Sequence, residues 1–150
     1  MKRHSALVRL SKDHHQGLLL AQVLLMNDKA YKGYPTDTKG KADYTIAFFN
    51  SELIQHFKIE EEILFQLVKN LDTELNRLIE EITSEHKKLY ELIENIKINN
   101  ESAELLKEFG KLLESHIRKE ERILFEMIQE LADDSLMRVI KEKIENYSKT

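Results

Sequence analysis

Apolar residues recur along the chain three and four positions apart with charged residues between them, which is the period of an amphipathic α-helix. One proline and four glycines interrupt this pattern in 150 residues. The pattern predicts an all-α protein, an up-down-up-down four-helix bundle with a short C-terminal fifth helix. The predicted helices run from Ser11 to about Asp28, from about Lys41 to Asn70, from the Asp72-Thr73 cap to about Ile98, from about Ala103 to Leu131, and from the Asp133-Asp134 cap to about Tyr147.

The composition is that of a single domain, residues 1–150, without a linker. Lysine and arginine number 23 and aspartate and glutamate 27, so the net charge is −4, and no basic cluster favours nucleic acid as a partner. The absence of cysteine excludes thiolate metal sites and fits a reducing compartment, so we expect a cytoplasmic location. The longest apolar stretch, nine residues from Leu18 to Met26, is too short to span a membrane, and the first residues lack a signal-peptide pattern.

An internal repeat carries most of the functional information. His56-Phe-Lys-Ile-Glu60-Glu-Glu-Ile-Leu-Phe65 is matched 60 residues later by His116-Ile-Arg-Lys-Glu120-Glu-Arg-Ile-Leu-Phe125. Residues four apart share one face of a helix, so each histidine and its glutamate can reach the same metal centre. One copy alone also fits a solvated ion pair. The apolar stripes beside the two copies turn both inward; they consist of Phe49, Leu53, Ile63 and Leu67, and of Phe109, Leu113, Ile123 and Met127.

Buried glutamates without partners would lose several kcal/mol of solvation energy, and a bound cation removes that cost. His86 lies on an inward-facing stripe of isoleucine and leucine, so it joins the predicted ligands. Periodicity alone does not decide between His14 and His15 on the first helix. Asp13 and Glu85 precede candidate ligands and are either acceptors that orient imidazoles or ordinary surface charges. The remaining acidic residues of the repeats, Glu61, Glu62 and Glu121, are predicted to form a solvated face.

These motifs resemble the hemerythrin-like, or HHE cation-binding, family, from Lys12 to about Phe125. The resemblance implies a non-haem centre of two iron ions, oxo- or hydroxo-bridged, with terminal histidines and with Glu60 and Glu120 as bridging carboxylates. In the family the first histidine is followed by apolar residues at the third and fourth positions, which favours His15 over His14. The implied metal ligands are His14 or His15, His56, Glu60, His86, His116 and Glu120.

Imidazole and carboxylate donors without thiolate suit iron, with manganese or zinc as substitutes, independently of the resemblance. The favoured function is a di-iron protein that binds a small diatomic ligand, O2 or NO, for storage, sensing or stress protection. The alternative is a di-iron enzyme: an oxidase, a peroxidase or an iron-centre repair protein. Repair-type relatives commonly carry a cysteine-bearing N-terminal segment, and the sequence has no cysteine. We expect no nucleic-acid or membrane partner, and the oligomeric state stays open.

Tyr90 marks a departure from the family pattern. Oxygen-carrying hemerythrins have a second histidine four residues after the one on the third helix, and this chain has Tyr90 there. Tyr90 is therefore a candidate for cofactor binding, as a fifth terminal donor or as a hydrogen-bond donor to a bound ligand. The alternative is a tyrosine that only packs between helices.

Overall fold

A computed structural model describes residues 2–26 and 31–147 of the chain. The described residues form five helices and no strand, which confirms the all-α prediction. The helices are α1 (Val8–Leu25), α2 (residues 38–68), α3 (Thr73–Ile98), α4 (residues 103–131) and α5 (Asp134–Tyr147). Among these helices none combines the length and the apolar character that crossing a membrane requires.

Side-chain caps explain where most of the helices begin. Asp72 accepts from the Leu75 amide at 3.2 Å at the start of α3, and Asp133 accepts from the Leu136 amide at 2.8 Å before α5, as predicted. The predicted cap at Ser11 is wrong: α1 begins at Val8, and the Ser11 hydroxyl donates to a carboxylate of α4 instead. Helix α2 begins at Thr38, three residues earlier than predicted. The predicted end of the first helix at Asp28 lies outside the described residues.

Helices α2 and α4 each contain a π-helical turn that begins four residues after the histidine of the repeat. Each turn begins at the repeat's first glutamate, and the two span Glu60–Leu64 and Glu120–Leu124. The wider turn inserts a residue, which rotates all later positions around the helix by about 100°. As a result, Leu64 and Leu124 are buried, while Ile123 is 50% exposed. Beyond this point the predicted inward stripe is wrong for Ile123, while Ile63, Leu67 and Met127 are partly buried and pack against the core.

The polar site lies between two hydrophobic clusters that fill the bundle. On α3, for example, Ile82 belongs to one cluster, Leu89 belongs to the other, and buried His86 lies between them. Helices α1 and α4 approach each other closely at glycines. A Cβ atom on Gly17 would lie 2.7 Å from Cδ1 of Ile117, so only glycine fits this crossing without a shift. The close crossing brings the histidine of α1 to the glutamates of α4.

Candidate metal centre

Six buried polar side chains converge between the clusters, each at most 3% exposed: His14, His56, Glu60, His86, His116 and Glu120. They form two overlapping sets whose potential ligand atoms lie within 4.8 Å of one another. We call these sets position 1, made by the two glutamates with His14 and His56, and position 2, made by the two glutamates with His86 and His116.

Each glutamate presents one oxygen to each position. Glu60 Oε2 lies 3.4 Å from His56 Nε2, and its Oε1 lies 3.1 Å from His86 Nε2. Glu120 does the same with the remaining two histidines: Oε2 lies 3.1 Å from His14 Nε2 and Oε1 lies 2.8 Å from His116 Nε2. Each glutamate could therefore offer one oxygen to a cation at position 1 and the other oxygen to a cation at position 2.

In each of these four histidines, the other ring nitrogen, Nδ1, contacts a second carboxylate, which we call the outer carboxylate. The four Nδ1 atoms lie 2.6–3.0 Å from these oxygens; the pairs are His14 with Glu121 (2.7 Å), His56 with Asp13 (3.0 Å), His86 with Glu61 (2.6 Å) and His116 with Glu85 (2.8 Å). Because an ionised carboxylate only accepts, each Nδ1 carries the shared proton. In a neutral imidazole Nε2 then has a free lone pair directed at the inner glutamates.

The carboxylates dominate the titration of the histidines in the metal-free protein. Burial by itself lowers the pKa of His56, but the charge of Glu60 and the hydrogen bond with Asp13 outweigh it and raise the pKa to about 10. Burial also lowers the pKa values of the other three histidines, and the surrounding carboxylates again reverse the direction, so that all are raised; these histidines are His14, His86 and His116.

The shifts of the carboxylates run the opposite way. Burial raises the pKa of Glu120, but the positive charges of His116 and His14 hold that pKa well below its usual range. Burial likewise raises the pKa of Glu85, and hydrogen bonds from His116 and Lys119 lower it overall. The pKa values of Glu120 and Glu85 therefore lie below the ordinary value of a glutamate, because both face histidines whose pKa values are raised.

A bound cation fits the unsatisfied atoms of this cluster. Both oxygens of Glu60, both oxygens of Glu120 and the Nε2 atoms of His86 and His116 are buried without a hydrogen bond from the described residues. An ionised carboxylate buried in this way is costly unless a positive charge faces it. Lone pairs of nitrogen and oxygen converge on each position, and this is the donor chemistry of a metal site.

The local charge leaves an excess of carboxylates at the site. Lys119 Nζ lies 2.6 Å from Glu85 Oε2 and 2.5 Å from Glu81 Oε1, and Arg3 Nη2 lies 3.2 Å from Glu121 Oε1. The two inner and four outer carboxylates therefore outnumber the cationic side chains beside them, and bound cations would offset this excess.

The sequence profile of the hemerythrin HHE cation-binding domain matches residues 6–128. The chain belongs to the hemerythrin HHE family. Comparisons with curated proteins and with solved structures find no significant match. Hemerythrin domains bind metal cations, and the buried His/Glu cluster of this hemerythrin domain fits such a site.

The helix-α1 histidine in the cluster is His14, so the preference for His15 needs correction. His14 is 3% exposed and contacts Glu120, whereas His15 is exposed and lies outside both positions. The buried stripe of α1 runs through Leu10, His14, Gly17 and Ala21. His15 is rotated about 100° from this stripe, and the apolar spacing after it reflects partial packing of Leu18 and Leu19 only.

Tyr90 of this hemerythrin domain is half-buried and packs edge-on against Phe49, with ring centroids 5.0 Å apart. It also lines a cleft of about 220 Å³ between α2 and α3, together with Phe57, Glu61 and His86. Burial and the charge of Glu61 raise the pKa of Tyr90, so its phenol is neutral at physiological pH. The ring contacts agree with the packing interpretation.

Two outer carboxylates were missed in the sequence. Glu61 and Glu121 were assigned to a solvated face, but they contact His86 and His14. A signal was present, since the Glu-Glu pair occurs at the same place in both repeats while the residue after it differs. Asp13 is also an imidazole partner, but of a histidine on α2 and not of its neighbour in sequence.

Proposed function

We propose that this hemerythrin domain holds two iron ions and reversibly binds a diatomic gas, O2 or NO, for storage, sensing or stress protection. The observation that carries the proposal is the equal composition of the two positions, each with two histidines and one oxygen from each bridging glutamate. Four protein donors leave a six-coordinate metal with open positions for exogenous ligands. When bound, reduced iron supplies the electrons and the vacant coordination positions that gas binding requires.

The choice of iron rests on the donors. Two imidazoles and two carboxylate oxygens per position match iron or manganese, and zinc is the poorer match because it favours a closed tetrahedral site. In this proposal His14 and His56 hold one ion, His86 and His116 hold the other, and the two inner glutamates bridge them.

Aromatic rings protect the proposed centre from water. Phe57 stacks on His86 with ring centroids 4.0 Å apart, and Phe125 stacks on His14 at 5.4 Å. Arg3 in turn lies over the outer face of Phe125, with its guanidinium carbon 5.3 Å from the ring centroid. A dry surrounding keeps reduced iron from reacting with solvent, which supports reversible binding.

The cleft between α2 and α3 is the proposed route of the gas. His86, which is 1% exposed, contributes to its inner lining, and Tyr90 and Glu61 stand beside it. A diatomic molecule passing between these side chains would arrive at position 2. The Tyr90 hydroxyl is then available to donate a hydrogen bond within the cleft.

Tyr90 also keeps the enzymatic alternative open, because a phenol beside a di-iron centre is a potential electron donor. An oxidase or peroxidase consumes its co-substrate, whereas a carrier or sensor releases the gas unchanged. Turnover with a reductant under air therefore separates the two functions.

The test begins with protein purified anaerobically without chelator from iron-replete cells. We expect two iron ions per chain and an optical spectrum that changes on addition of O2 or NO and returns when the gas is removed. A protein that holds two iron ions but shows no gas-dependent spectrum would refute the proposed function. The Glu60→Ala variant, checked for folding by circular dichroism, serves as the metal-free control.

Three predictions from the sequence belong with this proposal. One is the alternating up-down direction of the four long helices, the second is a single domain over residues 1–150, and the third is a cytoplasmic location. The last rests on the absence of cysteine in the sequence.

A further inference from the structure

We infer that Asp13, Glu61, Glu85 and Glu121 are positioning residues that hold the four inner histidines in one orientation and one tautomer. The inference rests on the metal pair of the proposed function but not on gas binding. None of these carboxylates belongs to the six inner side chains, and none presents an atom to position 1 or position 2.

The four carboxylates link the helices in a closed ring. Each long helix supplies one outer carboxylate to the histidine of the next: Asp13 of α1 to His56 of α2, Glu61 of α2 to His86 of α3, Glu85 of α3 to His116 of α4, and Glu121 of α4 back to His14 of α1. Four chance surface contacts would not close such a cycle. Each of the helices α1 to α4 therefore supplies one carboxylate and one histidine to the ring.

The ring follows from neighbouring residues on each helix. On α1 and α3 the outer carboxylate directly precedes the histidine, as in Asp13-His14, so the two side chains diverge by about 100° and reach different helices. On α2 and α4 the outer carboxylate directly follows the inner glutamate, as in Glu60-Glu61 at the start of the π turn. One residue of each pair points to the centre and the other to the adjacent helix.

The chemical effect is the choice of tautomer. An outer carboxylate accepts a hydrogen bond only from Nδ1–H, so it stabilises the form in which Nε2 is an unprotonated donor atom facing the centre. The other tautomer would place an N–H bond where a metal ion has to bind. The ring therefore keeps one proton on each Nδ1, so that a metal ion has to displace a proton only from Nε2.

The four links are not equally supported. Lys119 holds Glu85, and Arg3 together with the Ser11 hydroxyl holds Glu121. In residues 2–26 and 31–147, no lysine or arginine nitrogen comes within ion-pair distance of Asp13 or Glu61. Glu61 therefore depends on its contact with His86, and its removal isolates one link with little other change.

The experiment uses zinc as a diamagnetic probe, so that it does not depend on iron or gas. In zinc-loaded protein with ¹⁵N-labelled histidine, we expect four slowly exchanging Nδ1–H signals by NMR and two zinc ions per chain. Glu61→Ala should abolish the His86 signal and lower the affinity for one of the two zinc ions by about 10- to 100-fold. Glu61→Gln should restore much of both, because the amide carbonyl still accepts from Nδ1–H.

Glu62→Ala is the matched control, since Glu62 is the exposed neighbour of Glu61 and contacts the Tyr147 hydroxyl. It should keep all four signals and both affinities. The inference is overturned if the inner histidines carry their protons on Nε2, or if Glu61→Ala changes neither the signals nor the affinity. If Glu61→Ala does not fold, Glu61→Met takes its place, because methionine keeps the length of the side chain and removes the carboxylate. The same losses are then expected, and unchanged zinc binding with an unchanged His86 signal is contradictory.

Failure of this inference and failure of the proposed function are distinguishable. Two zinc ions with an altered tautomer pattern overturn the ring while gas binding can still be observed in the iron protein. Four Nδ1–H signals in the zinc protein without a gas response in the iron protein leave the ring intact and refute the proposed function. Fewer than two zinc ions at saturation overturn the metal pair on which both depend.

Discussion

The repeat on α2 and the repeat on α4 provide the same inner side chains in different electrostatic surroundings. Both offer a histidine, an inner glutamate, an outer glutamate and a π turn that begins at the inner glutamate. One position before that glutamate they differ, because α2 has fully buried Ile59 and α4 has partly exposed Lys119. Lys119 contacts Glu85, so the α4 repeat carries its own cation while the α2 repeat adds to the core instead.

The residues that would contact the metal are the same in both repeats, whereas the residue before each inner glutamate differs with its surroundings. The inner atoms are equivalent in both repeats, at 3.4 Å for His56 Nε2 to Glu60 Oε2 and 2.8 Å for His116 Nε2 to Glu120 Oε1. The neighbouring positions follow their local environment, apolar on α2 and charged on α4. The equivalence of the two inner His/Glu pairs can be tested separately from the effect of Lys119, which only the α4 repeat carries.

We expect the largest effect from removing one of the two inner glutamates, which are equivalent in the two repeats. Glu60→Ala and Glu120→Ala should each reduce the metal content from two ions to none, because each removes an oxygen from both positions. Elemental analysis of the folded variants measures this, with Glu62→Ala as the control that keeps both ions. Retention of two ions in one glutamate variant would show that the two repeats are not equivalent.

Metal removal is expected to have the next largest effect, and it acts on both repeats together. A metal present at 100 times its dissociation constant stabilises the fold by about 2.7 kcal/mol, which corresponds to about 5–10 °C in melting temperature for a chain of this size. Calorimetry of the metal-free and metal-loaded proteins measures the difference. Equal melting temperatures would contradict a buried site that binds only in the folded state.

Most of the fold was predictable from the sequence because helical periodicity and caps are local signals. Asp72 and Asp133 mark true helix starts. The full burial of Leu64 and Leu124 was not predictable from a uniform helical period, since the π turns shift them inward and leave Ile63 partly buried and Ile123 exposed.

The histidines and glutamates of the inner site were predictable from the sequence, whereas the pairing of each outer carboxylate with a histidine was not. The repeat pointed to His56 and His116 with their glutamates, which the structure brings together. The outer contacts join different helices, as between Glu61 and His86, and a one-dimensional pattern does not contain that pairing. The choice between His14 and His15 likewise depended on the exact rotation of α1 against α4.

The stability of the metal-free protein should depend on pH, because its inner histidines are paired with carboxylates. The pKa of His56 is about 10 in the folded state, above its ordinary value of 6.5. A raised folded-state pKa stabilises the fold fully below pH 6.5, and this contribution is lost as the pH rises toward 10. Urea unfolding at pH 6, 8 and 9.5 should therefore give decreasing stability for the metal-free protein.

The metal-loaded protein should behave in the opposite way over the same pH range. Metal ions compete with protons for the histidines, so the metal affinity increases as the pH rises. A metal-free protein whose stability increases from pH 6 to 9.5 would contradict the protonated state of the histidines described above.

Removing Lys119, the cation that only the α4 repeat carries, should have a smaller effect. Lys119→Met deletes the ion pairs with Glu85 and with exposed Glu81. We expect a loss of about 1 kcal/mol or less, a decrease of about 1–4 °C in melting temperature, with two metal ions retained. Arg118→Met is the matched control, because the Arg118 pair with Glu114 is exposed and 4.0 Å long. Loss of a metal ion in Lys119→Met would mean that the α4 repeat needs its cation for binding itself.

The smallest effect is expected at Tyr90, where the chain departs from the oxygen-carrying members of its family. Its ring packs against Phe49 and Phe57, with centroids 5.0 and 6.1 Å apart, and a phenylalanine ring keeps both contacts. Tyr90→Phe should therefore preserve the iron content, the melting temperature and the visible spectrum, and alter only the rates at which a gas binds and leaves through the cleft. Stopped-flow measurement with NO provides these rates, and the spectrum of the oxidised protein provides the decisive comparison. A phenolate bound to ferric iron absorbs visible light, so disappearance of a band in the variant would make Tyr90 a metal ligand and would give position 2 a donor that position 1 lacks.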